Sequence, residues 1–427
     1  MAVQGLSPLN YGYGLGGIIA RGIDAKAATP YQKPMSEDER FMSLALLEAM
    51  EAIGRSCPNP SVGAVIVKDG TVIAKASTQD FGQLHAETMA LSLAPPHLLQ
   101  GATCYVTLEP CGGRAKQGPC AEALIAAGIT RVVVAATDPN EKAAGLGLQK
   151  LREAGVSITL DCLAAEAKAW HFPFLAYQLK KSPIIIGKWA QTLDGHLADD
   201  QGNSQWISGP RSRAYTHWLR QKYDSIMVGV HTVLNDHPRL TARDSPLPHA
   251  RHPCKIVFDP SGRMETATKE AVAALLDEAD SKSGPVIYWC TEPKVSRYPT
   301  NLLPHKDKII HLPTVNFSDW SAFFRSLSDE YQQRFGRYLQ SIMVEGGSQL
   351  LTLLMRSNQL DAAHIFVRAG FLGGARNRIA HLHQGQNPSL SMMQRHDYRL
   401  ITSQQIDDDV VLECVQERLD LWAKVKA

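Results

Sequence analysis

His85-Ala86-Glu87, the run Tyr105-Val-Thr-Leu-Glu-Pro-Cys111, and Cys120 decide the reading of this chain. His85 begins a helix: Ala86, Met89, Ala90 and Leu93 recur at helical spacing, although no Ser, Thr, Asp or Asn directly precedes it. Ala102 to Leu108 reads as a strand ending just before Pro110-Cys111, and Cys120 to Ala127 reads as a helix. The three residues therefore fall at junctions between strands and helices. One imidazole and two thiolates make a three-ligand zinc site with its fourth position open to water. Zinc so held activates water near neutral pH. Glu87, two residues from His85, is not needed as a ligand and is free to carry protons. The bland alternative is that His85 caps the helix and the cysteines are small buried apolar residues. Each residue alone favours that alternative; the three together in this order favour a catalytic zinc. A closed structural zinc lacks a good fourth ligand, since Cys104 lies on the strand.

Outward from this stretch the pattern alternates. Glu39 to Ile53 is apolar at helical spacing and is preceded by Ser36, a cap with acids behind it. Val62 to Val67 is a short buried strand closed by the turn Lys68-Asp69-Gly70. Arg131 to Ala136 is a strand, Gly145 to Ala154 a helix, and Ser157 to Leu160 a strand. The chain is helical again from Ala164, is interrupted at Pro173 and stops at Lys180-Lys181-Ser182-Pro183, where the domain boundary is placed. Strands at Ile184–Trp189, Ser225–Gly229, Lys255–Asp259, Val286–Trp289, Lys308–His311 and Ser341–Glu345 then mark a second α/β unit.

The 427 residues are enough for two or three domains. A net charge of +2 lacks the basic surplus of a general nucleic-acid binder. Neither a transmembrane-length apolar run nor a disulfide framework is expected, since the 8 cysteines are sparse. Residues 1–34 are rich in Gly and Tyr and hold one acid, Asp24. They are read as a disordered tail, a vector remnant or the product of an early start codon, with a transit peptide the weaker reading.

His-x-Glu followed by Pro-Cys is the signature of zinc nucleobase deaminases, whose second cysteine commonly follows after a two-residue spacer. Here 8 residues separate Cys111 from Cys120. With Pro58-Asn-Pro-Ser-Val-Gly-Ala-Val-Ile-Val67, Ala123-Leu-Ile-Ala-Ala-Gly-Ile-Thr-Arg131, Thr137-Asp-Pro-Asn140 and Gly145-Leu-Gly147, this long spacer resembles the deaminase half of the bifunctional riboflavin-biosynthesis deaminase-reductase family. The second unit resembles the reductase half through Lys188-Trp-Ala-Gln-Thr-Leu-Asp-Gly195, Ser204-Gln-Trp-Ile-Ser208, Leu219-Arg220, Asp224-Ser-Ile-Met-Val-Gly229, Thr232-Val-Leu-Asn-Asp236, Pro238, Leu240, Arg243 and Val344-Glu-Gly-Gly347. This resemblance runs from about Pro183 to Leu412.

The resemblance implies an α/β chain with a cytidine-deaminase-like domain (35–181) followed by a dihydrofolate-reductase-like domain (182–427). It implies Zn2+ on His85, Cys111 and Cys120, with Glu87 catalytic. Ala190, Trp206, Thr232, Asp236, Gly347 and Ser348 are expected to contact NADPH. Ser204, Arg220, Leu240, Arg243 and Glu345 are expected to hold a phosphorylated pyrimidine, the two arginines suiting its 5-phosphate. Gly346 and Gly347, after a strand, let backbone amides approach a phosphate. It further implies a cytoplasmic homo-oligomer, dimer or tetramer, with no nucleic-acid or membrane partner.

The implied reactions are deamination of 2,5-diamino-6-ribosylamino-4-pyrimidinone 5′-phosphate and NADPH reduction of the ribosyl to a ribityl chain. Several positions depart from the family pattern. A Ser-His and Gly-Arg-Thr-Pro-like loop is replaced by Gly112-Gly-Arg-Ala-Lys-Gln-Gly118, and a Gly-Tyr-His-like stretch by Lys75-Ala-Ser-Thr-Gln-Asp80. His237 follows Asp236 where an acid or amide is usual, Pro260 replaces a cofactor-contacting Ser, and Ala369 stands where a Pro is usual. Two other readings stand beside the first. One is a paralogue with another pyrimidine or pterin-like substrate or one weakened half. The other is a nucleic-acid-editing deaminase with an appended binding module, disfavoured by the long spacer and the lack of a basic run.

Overall fold

The computed structural model describes residues 35–113, 118–139, 144–243, 251–277, 286–295, 298–316, 318–373 and 397–419. The expected tail at 1–34, the centre of the altered loop (114–117), Asn140 and residues 420–427 lie outside these. The chain divides between Lys181 and Ser182 into two compact units.

The first unit starts with helix α1 (Glu37–Met50). Ser36 Oγ accepts from Glu39 N at 3.2 Å while Glu39 Oε2 accepts from Ser36 N at 2.7 Å, a reciprocal cap that satisfies two otherwise orphaned amides. Strand β1 (Gly63–Lys68) turns at Asp69-Gly70 into β2 (Thr71–Ser77). Sequence reading expected the turn but not β2, whose two faces are largely half-buried or exposed and lack a clean alternation. Helix α2 (Ala86–Leu93), β3 (Thr103–Val106), α3 (Cys120–Ala126), β4 (Arg131–Val134), α4 (Leu146–Glu153), β5 (Ser157–Thr159) and α5 (Ala164–Lys180) follow. The sheet order is β2-β1-β3-β4-β5, with the hairpin antiparallel and β3-β4-β5 parallel.

Pro173 does not interrupt α5, contrary to the sequence expectation. A proline costs the helix one amide donor. Here Trp170, His171, Phe172, Leu175 and Ala176 on either side of it are buried, and Trp170 Nε1 donates to Ser61 O at 2.9 Å. Tertiary burial outweighs the local penalty.

The second unit contains β6 (Ile184–Thr192), α6 (Pro210–Lys222), β7 (Ser225–Gly229), α7 (Val230–Asp236), β8 (Cys254–Phe258), α8 (Lys269–Leu276), β9 (Ile287–Cys290), β10 (Ile309–Leu312), α9 (Trp320–Phe335), β11 (Ser341–Glu345), α10 (Ser348–Arg356), β12 (Ala362–Arg368), β13 (Tyr398–Ile406) and β14 (Asp409–Gln416). Its sheet runs β10-β9-β8-β7-β11-β6-β12-β14-β13, parallel except where β14 pairs with β12 and β13. Phe323, Phe324 and Leu327 of α9 pack with Phe258, Tyr288 and Leu312 in one core. Buried carboxylates pin strand starts. Asp224 accepts from Gln340 N (3.0 Å), Ser341 N (3.1 Å) and Ser341 Oγ (3.1 Å), fixing β7 against β11. β12 was not read from the sequence, nor was the β13–β14 hairpin, whose first strand is largely exposed.

Candidate functional sites

In the first unit β3 delivers Glu109-Pro110-Cys111 to the edge where α2 and α3 begin. His85 is the residue before α2, and its side chain makes no capping hydrogen bond. The imidazole instead faces the thiols. Nδ1 lies 3.6 Å from Cys111 Sγ and 3.3 Å from Cys120 Sγ, and one donor atom of each of the three residues lies within 4.8 Å of the others. Tetrahedral zinc with its ordinary Zn–N and Zn–S bonds puts N and S about 3.6 Å apart. The donor set and its spacing therefore fit zinc, and the bland helix-cap reading of His85 fails.

Cys120 N donates to Cys111 Sγ at 3.3 Å. Hydrogen bonding from Cys120, and then from His85, pulls the Cys111 thiol down to about 4, against the cost of burial. The same shared proton and burial push Cys120 up. Glu87, two residues after His85, is buried against Cys120 of this cluster, and desolvation pushes its carboxyl up to about 7 despite the His85 charge. A carboxyl poised there both accepts and returns a proton at neutral pH. Cys104 is buried near Glu87 but is not one of the clustered donors.

Two features were quoted in the motifs without a role. Glu109 is buried, accepts from Asp138 N at 3.4 Å, and is pushed up to about 7 by desolvation. It fastens the segment after β4 beside the ligand loop. Gly147 passes so close to that loop that a Cβ would sit 1.8 Å from Pro110 O.

In the second unit Arg220 on α6 donates from Nε and Nη2 to the two Glu345 oxygens at 2.7 and 2.8 Å, and from Nη1 to Thr241 O at 3.1 Å. Burial alone would raise Glu345, but the Arg220 pair outweighs it and the carboxyl is held low. Arg243 Nη1 donates to Thr241 Oγ1 at 3.2 Å, so both expected arginines meet at Thr241. Leu240, buried with φ 54°, turns the chain between them and α7.

Lys188 was missed by sequence reasoning. It pairs in register with Glu345 on one side and His364 on the other, and its Nζ lies 4.8 Å from the Phe366 ring centroid. Desolvation lowers its pKa while Glu345 opposes the drop. The available signal was a lysine inside an otherwise apolar strand. Ala190, two residues on, pairs with Phe366 on the same face.

Gly346 has φ 143°, and a Cβ there would meet Thr232 Oγ1 at 3.3 Å. Gly347 and Ser348 form the start of α10, which has no side-chain cap. Gly346, the start of α10 and Thr232 form one cradle at the carboxyl edge of the parallel strands β11 and β7. Asp236 ends α7, and burial raises its carboxyl. Ser204 and Trp206 lie in an exposed loop, with the Arg213 guanidinium 4.5 Å from the Trp206 ring.

Comparison with known proteins adds the following. Residues 183–412 match the family model described as RibD C-terminal domain, and residues 35–136 match the cytidine and deoxycytidylate deaminase zinc-binding region. The riboflavin biosynthesis protein RibD of Aquifex aeolicus is 34% identical over 336 residues, 79% of this chain and 88% of that relative. Its Actinobacillus pleuropneumoniae counterpart is 31% identical over 388 residues, 88% and 95%. Among solved structures, Acinetobacter baumannii RibD matches at TM-score 0.70 and 28% identity, covering 89% of this chain and 99% of the other. The Thermotoga maritima diaminohydroxyphosphoribosylaminopyrimidine deaminase/5-amino-6-(5-phosphoribosylamino)uracil reductase matches at TM-score 0.70 and 30% identity, with the same coverage.

Proposed function

The chain belongs to the RibD family of riboflavin-biosynthesis deaminase-reductases, and from that premise we propose which residues carry its two reactions and on what substrate. It is an enzyme with a deaminase and a reductase activity, and its cofactors are zinc and NADPH. The proposed substrate of the first step is 2,5-diamino-6-ribosylamino-4-pyrimidinone 5′-phosphate, whose amino group leaves as ammonia. The second step reduces the ribosyl chain of the uracil product to ribityl. The observation that carries this reading is the convergence of His85, Cys111 and Cys120 beside buried Glu87, in one chain with the Arg220–Glu345 pair.

In the first unit His85, Cys111 and Cys120 hold the metal, which supplies Lewis-acid activation of water. Glu87 takes the water proton, gives it to the ring nitrogen, and then serves the leaving ammonia. Its burial supports this role, since it keeps the carboxyl's proton affinity near neutrality. Cys104 stays a packing residue.

In the second unit NADPH supplies the hydride. Thr232, Gly347 and Ser348 hold its phosphates, with Ala190, Trp206 and Asp236 along its length. Glu345, fixed by Arg220, orients hydroxyls of the opened sugar. Arg220 and Arg243, which meet at Thr241, receive the 5-phosphate, with Ser204 and Leu240 beside them. Lys188 holds a proton against the reacting carbon's nitrogen neighbour. The homo-oligomeric, cytoplasmic enzyme without nucleic-acid partners remains the family expectation.

Two measurements test the assignment. Metal analysis should give one zinc per chain in the wild type and a loss in Cys111→Ser. Presynthesised uracil intermediate with NADPH should lose nicotinamide absorbance with the wild type and not with Glu345→Gln. Full zinc retention in the cysteine variant would remove the ligand assignment, and unchanged reduction in Glu345→Gln would remove the substrate-orienting role.

A further inference from the structure

The carboxyl edge of the second sheet offers a ruler. Strands β6, β11, β7 and β8 are consecutive neighbours and all parallel. Ala190 lies near the end of β6, Gly346 and Gly347 follow β11, Thr232 follows β7, and Arg263 follows β8. Neighbouring strands are about 4.8 Å apart, so this row covers three such steps. A dinucleotide with its nicotinamide over β6 and its pyrophosphate at the Gly346–Thr232 cradle reaches β8 with its adenosine end. This placement rests on the cofactor reading given above.

Arg263 at that end lies against a histidine. Its Nη1 donates to Nε2 of His231, one residue before Thr232. Accepting that bond requires a bare Nε2, hence a neutral imidazole. Burial first, then the Arg263 charge, lowers the His231 pKa, with Asp259 opposing. Asp259 is itself occupied: its oxygens accept from Arg263 N (2.8 Å), Met264 N (2.8 Å) and Trp289 Nε1 (2.9 Å). Among the described residues the Arg263 guanidinium makes no ion pair. An arginine fixed by a carboxylate has its charge neutralised, as Arg220 has on Glu345. Beside a neutral imidazole and exposed to solvent, Arg263 has no carboxylate to offset its charge.

We propose that Arg263, positioned by His231, is the receptor for the 2′-phosphomonoester of NADPH and sets the preference for NADPH over NADH. That phosphate is the one chemical difference between the two dinucleotides. Pro260, earlier in the same loop, offers neither a hydroxyl nor an amide donor; Ser261 beside it carries a neutral hydroxyl, and Arg263 is the cation of the segment between β8 and Thr266.

The test is direct binding to the intact zinc-loaded chain, without turnover. NADPH, NADH, 2′,5′-ADP and 5′-AMP are titrated by calorimetry against the wild type, Arg263→Ala, Arg263→Gln and His231→Ala. Arg263→Ala and Arg263→Gln should bind NADPH and 2′,5′-ADP about 10- to 100-fold more weakly, a lost charge-assisted bond, with NADH and 5′-AMP unchanged. His231→Ala should show a smaller loss in the same direction. An NADPH-to-NADH preference that survives in both Arg263 variants overturns the proposal, as does equal weakening of the two dinucleotides. A wild type that binds neither dinucleotide removes the underlying cofactor reading instead. Circular dichroism of each variant excludes unfolding as the cause.

Discussion

Glu87 and Glu345 are both buried carboxyls, and their surroundings send them in opposite directions. Glu87 has no cation bonded to it and is pushed up to about 7 by desolvation, whereas Glu345 is held low by a bidentate arginine. The first suits proton traffic and the second a fixed negative anchor. Glu87→Gln keeps the shape and removes the proton carrier. Ammonia release should fall by about 100- to 10,000-fold while zinc content stays at the wild-type level, as measured by steady-state assay and metal analysis. Near-wild-type deamination by that variant would exclude Glu87 as the acid–base group. The zinc triad was legible in the sequence because metal chemistry restricts the residue types and leaves a spacing signature. The Arg220–Glu345 pair was legible only as two separate substrate contacts. Sequence separation hides that one neutralises the other. Arg263 escaped because a lone Arg in a loop carries no signal until its neighbours are known, whereas Lys188 carried the weak one of a lysine in an apolar strand.

At the scale of elements, β6 to β11 of the second unit were legible as apolar runs because a parallel sheet is buried on both faces, whereas β12 was not read. The half-exposed β2 and β13 lacked that pattern and were missed. Pro173 misled in the other direction, since its local cost is offset by packing that the sequence does not display. Helix α4 reaches the ligand loop through Gly147, and Gly147→Ala would force the Pro110 carbonyl aside. The expected result is a lower zinc affinity in a chelator competition, with the second unit's NADPH binding untouched. Between α6, β12 and β14, Tyr215 Oη donates to Glu413 Oε1 at 2.7 Å and His364 Nδ1 lies 3.3 Å from the same oxygen. Burial opposes ionisation of Glu413, but His364 leads the groups that bring it to about 2 from an ordinary 4.5. A carboxyl lowered on folding adds stability above its unfolded value, and this is lost as pH falls through the folded one. Glu413→Gln should therefore cost stability on the order of 2–3 kcal/mol at pH 7. The gap to wild type should close between pH 4.5 and about 2 in thermal melts. A pH-independent gap would contradict the assignment.

Across the whole molecule, each unit has its own sheet and its own chemistry-bearing edge. The deaminase edge gathers ligands from one strand end and two helix starts. The reductase edge lays its groups along four parallel strand ends. Fold class and the order of the two units were readable from strand–helix alternation and motif order together. The altered ligand loop was readable as a departure, but its effect on the substrate is not a matter of fold. The most direct measurement is to incubate zinc-loaded protein with enzymatically made diaminopyrimidinone ribotide, first without and then with NADPH. Ammonia release and nicotinamide absorbance are followed throughout. Ammonia should appear before NADPH is added, and absorbance should fall only after addition, in proportion to the ammonia already released. Absorbance loss with presynthesised uracil intermediate but no ammonia from the ribotide, in protein with full zinc, would contradict the account of the first unit. Silence in both steps would contradict the proposed substrate.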